Sequence, residues 1–248
     1  MENTSHPPAT RPDAAPQALP GEVAGLVGEL SETASPPRLR KLTAAISRLA
    51  RRSGRAGWHS AQSAGRQLTS QVLAMAPRLP VRDQQTLRAQ FPGLNAEELA
   101  DALILRSARA ASAVGAAAGL AMVLPTPTAP VEVAVETLAV VGIEIKLVAE
   151  LHEVYGMRAP GSSAERMLAY VAAWAHRRGV ALGPAGVVLV VGSPVRRRLQ
   201  RRLIAQAGRS VMSLGPLFSG AVAGALLNRH ETRRLGADVR DDLRRRSP

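Results

Sequence analysis

The chain has 248 residues and no cysteine, and its 32 Lys and Arg against 19 Asp and Glu give a formal net charge of +13. The lack of cysteine excludes disulfides, Cys-ligated zinc, iron–sulfur clusters and thiol catalysis. The charge points to polyanionic partners such as nucleic acid or anionic lipid, although all but Lys41 and Lys146 of the basic residues are Arg, a bias that a GC-rich genome also produces.

The apolar fraction of 46% rests largely on 44 alanines, with only two each of Trp, Tyr and Phe. A core of such small side chains requires close approach of its elements, and Ala favours helix over strand. The expected fold is therefore an all-α, Ala- and Gly-rich helical bundle. Residues 1 to 37 have prolines where a secretory signal would have its apolar run, which predicts a protein that starts in the cytoplasm.

Residues 1–20 hold five prolines among small and polar residues, a composition that predicts a disordered tail. The segment 21–32, with Val23, Leu26, Val27 and Leu30 at helical spacing but three glycines, reads as a marginal helix at best. The disordered N-terminal tail is thus expected to reach residue 35. After Ser35, Pro36 and Pro37, the spacing of Leu39, Leu42, Ile46 and Leu49 predicts a basic amphipathic helix ended by Gly54. A helix over roughly 58–76 and a short one over 83–91 complete a basic helical region, 36–94.

The rest of the chain, 95–248, reads as one helical unit. Asn95 and Glu98 form a capping-box-like start to a helix reaching Leu124. The prolines of 125–130 turn the chain into a second helix, Val131 to Tyr155, stopped by Gly156. These two helices form a long central hairpin. Ser162 and Glu165 cap a helix to Arg178, closed by Gly179. The stretch 180–195 is ambiguous because Val187 to Val191 is a short β-branched run, and it is read as a helix between Pro184 and Pro194. A very basic helix over 195–207 and a long helix from Pro216 to about Arg245 follow.

Charge is segregated along the chain. Residues 33–82 carry ten basic residues and no acid, residues 166–209 carry nine Arg and no acid, and the region between them is acidic. In the helix after the prolines, a step of 100° per residue gathers Glu132, Glu136, Lys146, Glu150 and Glu153 on one face, read as solvated. Glu144 falls outside that face, among Val140, Val141, Ile143 and Leu147. If buried, it requires a cation or a proton, and an Arg-paired structural acid is the preferred reading over a functional carboxylate.

Three stretches are uncharged: 110–131, 179–195 and 210–228. A spanning helix needs about 20 apolar residues, and proline interrupts each of the three, so none is a clean span. Gly115 with Gly119, and Gly220 with Gly224, lie four residues apart. That spacing lets another helix approach closely, in lipid or in an Ala-rich bundle.

No catalytic, cofactor-binding or metal-binding residues are recognised. His152–Glu153 begins like the zinc-protease pattern, but Gly156 stands where the second His is required. No nucleophile elbow, Walker phosphate loop or dinucleotide fingerprint is present. The candidate contacts are basic: Arg38, Arg40, Lys41, Arg48, Arg51 and Arg52 in the first cluster, and Arg196, Arg197, Arg198, Arg201 and Arg202 in the second. Beside apolar, proline-broken segments these fit anionic headgroups. Nucleic acid is the weaker candidate, since Trp58 is the one aromatic near them and no helix-turn-helix spacing is recognisable.

The run Ala113 to Leu124 leading into Pro125–Pro130, the helix ending Val154, Tyr155, Gly156, and the block Leu214, Gly215, Pro216, Gly220 to Asn228 with its Arg-rich end together resemble the EcsC family of bacterial helical proteins. The resemblance covers roughly residues 96–245, with Met157 a departure from the pattern. It implies a membrane-associated helical module, with homologues linked to membranes and transporters, and supplies no catalytic residues. The sequence therefore predicts a non-enzymatic protein at the cytoplasmic side of the membrane, peripheral or partly inserted, whose arginines meet anionic lipid or a membrane protein. The alternative is a soluble bundle that binds nucleic acid or a partner protein through its basic helices.

Overall fold

The computed structural model describes residues 14–52, 61–121, 129–183, 186–189 and 216–246. Eight α-helices follow in order: α1 (Ala14–Glu32), α2 (Pro36–Arg52), α3 (Ala61–Met75), α4 (Gln84–Gln90), α5 (Ala96–Ala121), α6 (Ala129–Val154), α7 (Ser163–Arg178) and α8 (Pro216–Arg246). The fold is all-α, with the expected α5–α6 hairpin at its centre and one short β-hairpin between α7 and α8. The basic helix expected over 195–207 lies outside the described residues.

The termini of the helices follow local chemistry. At α5, the Asn95 side chain accepts from Glu98 N (3.0 Å) and the Glu98 carboxylate accepts from Asn95 N (2.9 Å). At α7, Ser162 and Glu165 make the same reciprocal pair. Such boxes satisfy amide donors that the first helical turn leaves free. Gly179 ends α7 at φ 61° and Gly156 follows α6 at φ 67°, the left-handed conformation that favours glycine. Pro36 and Pro37 open α2, where a missing amide hydrogen removes nothing.

The core centres on α6, which touches every other described helix. From Leu138 to Leu151 all its residues are buried, its charged face included. One cluster of buried side chains joins Leu19 of α1 to Leu243 of α8.

Three expectations are corrected by this packing. Of the disordered tail expected to reach residue 35, residues 14–32 are helix, with Val23, Ala24, Val27 and Leu30 fully buried. Tertiary burial of one face outweighs the helix penalty of the glycines. The stretch after Gly179 is not a helix: Val180–Gly183 pairs antiparallel with Gly186–Leu189, with Ala181 opposite Val188. β-Branched valines, and a proline between Gly183 and Gly186, favour a tight hairpin over continued helix. Finally, the face of α6 read as solvated is covered at its described side chains, since Glu136, Lys146, Glu150 and Glu153 are all buried; the Glu132 side chain lies outside the described residues. The 100° projection grouped them correctly, but that face is covered by neighbouring elements.

α5 and α8 pack antiparallel along their length, with Asp101 bonded to Arg240 (2.5 Å), Gly236 against Ile104, and Gly115 against Gly224. A Cβ on Gly224 would stand 2.6 Å from the Gly115 carbonyl oxygen. The two backbones therefore touch, and neither can yield as a flexible side chain would. Gly119 and Gly220 are also helical. We expect Gly115→Ala to destabilise the fold by about 1–3 kcal/mol through forced separation of the helices. Gly25→Ala, with nothing within 4 Å of the added methyl, should stabilise it by up to ~1 kcal/mol through helix propensity. Urea denaturation of both variants checks the pair, and a gain at both positions would contradict the backbone contact.

Candidate functional site

Two buried ionic clusters hang on α6. In the first, the Glu144 carboxylate accepts from Trp174 Nε1 (2.9 Å), Thr232 Oγ1 (2.9 Å) and Arg178 Nε (3.0 Å), and forms a second, short bond with Arg178 Nη2. Arg178 also donates through Nη1 to Glu231 (3.0 Å) and through Nη2 to the Glu231 carbonyl (3.2 Å). Glu144 is 1% exposed and Arg178 4%, so α6, α7 and α8 meet at one buried ionic cluster. Burial alone would lower the Arg178 pKa, but Glu144 and Glu231 outweigh it and raise it. Glu144 is thus the buried, Arg-paired acid.

In the second cluster, Glu150 accepts from Arg82 Nε (2.7 Å) and Nη2 (2.8 Å), and pairs with Lys146 one turn away. Arg82 also donates to Gln90 of α4 (2.8 Å). Burial would push the Glu150 carboxyl up, but Arg82 and Lys146 hold it below the usual carboxylate range. Burial lowers the Lys146 pKa, with Glu150 only partly offsetting it. Nearby, Glu136 accepts from Asn228 (2.8 Å), and Glu153 is held by Arg158 Nε (2.7 Å) and Nη2 (2.6 Å).

These groups hold one another. A cleft of about 140 Å³ is lined by Asp83, Glu153, Arg158 and Arg166. Asp83 caps α4, Glu153 and Arg158 pair, and Arg166 donates to the Gly161 carbonyl. A second cleft, about 300 Å³, lies among Arg88, Phe91, Leu94, Asn95 and Leu99. His152 bonds through Nδ1 to the Val148 carbonyl (2.7 Å), and its ring centroid lies 5.0 Å from that of Tyr170. Among the described residues no group of three or more His, Asp or Glu could hold a metal ion.

The sequence-predicted basic residues separate into two sets. On α2, Leu42, Ala45, Ile46 and Leu49 are buried while Arg40, Lys41 and Arg48 are exposed. Arg48 pairs with Glu22, and Arg38 with Glu29 (4.0 Å) and the Thr33 carbonyl (3.2 Å), so α1 takes up two of the charges. Arg40 and Lys41 have no ion-pair partner among the described residues. Arg51 and Arg52 lie in the helix, with side chains outside the described set; Arg196, Arg197, Arg198, Arg201 and Arg202 lie outside it altogether.

A further basic set was missed. Arg109 on α5, and Arg229, Arg233 and Arg234 on α8, are exposed and likewise without an ion-pair partner among the described residues. For Arg109 and Arg229 the sequence signal was present in the last and first charges that bound two uncharged stretches, but only the helix register sets the two at nearly the same height. The helices face each other at Gly115 and Gly224, and again at Ile104 and Gly236, which sets Arg109 level with Arg229.

Beyond that level both helices are uncharged, and α8 exposes Val222 (55%) and Leu226 (61%). No described helix is long and apolar enough to cross a membrane. Comparison of the chain with protein-family models, with curated proteins and with solved structures finds no match.

Removing one partner of a buried pair strands the other charge. We expect Arg178→Met to cost about 3–5 kcal/mol in urea denaturation, and a second substitution, Glu144→Met, to recover part of that loss rather than add to it. Strict additivity would show that the pair is not coupled.

The depressed Glu150 pKa also sets a pH dependence. Its folded value lies below the 4.5 of the free group. The stabilisation is therefore complete above pH 4.5 and is lost as pH falls through the lower folded value. The urea midpoint should fall over that acid range, and Glu150→Gln should flatten the fall.

Proposed function

We propose that the protein is a non-enzymatic, membrane-associated helical protein at the cytoplasmic face, held by its arginines on anionic lipid or beside a membrane partner. The observation that carries this reading is the spatial separation of charge. Glu136, Glu144, Glu150 and Glu153 are buried, whereas Arg40, Lys41, Arg109, Arg229, Arg233 and Arg234 are exposed and unpaired among the described residues. Arg82, Lys146 and Arg178 are buried beside those acids, so the interior charges nearly cancel one another, and each exposed cation gains about 1 kcal/mol when brought near an anionic surface.

Several of the aromatic side chains that could stack on bases are occupied elsewhere. Trp174 and Tyr170 are buried, and Phe91 lies under the Arg106 guanidinium. This favours lipid over single-stranded nucleic acid. The reading keeps residues 96–245 as an EcsC-like helical module, which is part of the same proposal.

Flotation of the purified chain with vesicles tests it. We expect binding to phosphatidylglycerol–phosphatidylcholine vesicles, none to phosphatidylcholine alone, and loss of binding at high salt. Arg40→Glu with Lys41→Glu should weaken partitioning by roughly 30-fold if each contact contributes ~1 kcal/mol. Indifference to anionic vesicles at low salt, with tight salt-sensitive binding to duplex or single-stranded nucleic acid, would replace this reading with the soluble-bundle one.

A further inference from the structure

The outward face of α8 changes character along its length. Val222, Leu226, Arg229 and Arg233 succeed one another at spacings of 4, 3 and 4 residues and so lie on one side of the helix. All four are exposed. The opposite stripe, Asn228, Thr232, Leu235, Val239 and Leu243, is buried from end to end. The outward face is therefore basic over the ionic core and apolar beyond it, although both parts are exposed alike.

α5 makes the same change at nearly the same height, since Arg109 is its last charge and the Gly115–Gly224 contact sets it within two residues of Arg229 along the helix pair. The acids at this level turn inward, Glu231 to Arg178 and Glu136 to Asn228. α6 adds only its start, Ala129 to Val131, ahead of Glu132.

We propose that this paired end of α5 and α8 inserts into the hydrocarbon of one leaflet of an anionic bilayer, with Arg109, Arg229 and Arg233 at the phosphates. Three observations converge on lipid as the occupant. The apolar end is bordered by unpaired cations and no outward-facing described acid, which complements anionic headgroups. From Pro216 to Asn228 the helix rises roughly 18 Å at 1.5 Å per residue, against about 15 Å for the hydrocarbon of one leaflet, half of the ~30 Å core. And both segments are helical, so between their ends the backbone polar groups bond internally.

This inference rests on the membrane reading above, and the test separates the two. Because the chain has no cysteine, Leu226→Cys gives a single site for an environment-sensitive nitrobenzoxadiazole dye, and Leu168→Cys, also at an exposed leucine, gives a control. With phosphatidylglycerol–phosphatidylcholine vesicles, the dye at 226 should shift to the blue, resist aqueous iodide and be quenched by spin-labelled acyl chains, while the dye at 168 remains aqueous. Leu226→Glu, at a position open to solvent, should leave the thermal transition unchanged and weaken vesicle binding by about tenfold. Vesicle binding with an aqueous dye at 226 would overturn insertion and leave the peripheral reading standing. Absence of vesicle binding would overturn both. A blue shift without vesicles that grows with protein concentration would assign the end to a second copy of the chain and overturn the lipid occupant.

Discussion

A helix buried around its whole circumference that still carries ionised side chains constrains everything placed against it. α6 is such a helix: Glu144, Lys146 and Glu150 are each no more than 2% exposed. An unpaired buried charge is far more costly than any single packing contact in the fold. Each neighbour must therefore bring its complement to a fixed height and angle. α7 can dock only where Arg178 and Trp174 reach Glu144, α8 only where Thr232 and Asn228 meet Glu144 and Glu136, and the segment before α4 only where Arg82 grips Glu150. Apolar packing alone, in a core made largely of Ala, Val and Leu, would leave many rotations nearly equal in energy.

The glycine contact serves the same geometry. Thr232 is a short side chain, and it reaches Glu144 at 2.9 Å while α8 also lies against α5. At Gly115 and Gly224 the two backbones meet without intervening side chains, and at Gly236 the helix settles on Ile104 and Leu147. Small residues and buried charges are thus two parts of one solution. A core poor in aromatics needs helices close together, and closeness brings short polar groups into range of the central acids.

Much of this was legible in the sequence, but not the pairing. The capping residues Asn95, Ser162 and Glu165, and the stop at Gly179, act through bonds within a few residues, and the helices began and ended close to where those signals stand. The burial of Glu144 among apolar neighbours followed from helical phase. What phase cannot supply is the number of helices covering a face, so Glu136, Glu150 and Glu153 read as solvated when α6 is enclosed. Nor could it choose Arg178 over Arg177, which turns instead to Asp242 at 2.7 Å. In α1 the error ran the other way, since local glycine penalties were read without the long-range contacts that override them; at Gly186–Leu189 the β-branched signal was present and was set aside for helix.

The separation of charge follows from the same constraint. The buried acids are taken up by their own partners in the interior, and Arg40, Arg109, Arg229 and Arg233 face outward without an ion-pair partner among the described residues. The small side chains that allow α5 and α8 to touch continue past the last ionic contact, where no charge remains to define an inside. There the distinction between core and surface rests on direction alone: Val114 is 2% exposed and Leu226 61% on facing helices of similar composition. A surface that must meet both phosphate and hydrocarbon needs the order found on α8, with cations over the ionic core and apolar residues beyond them.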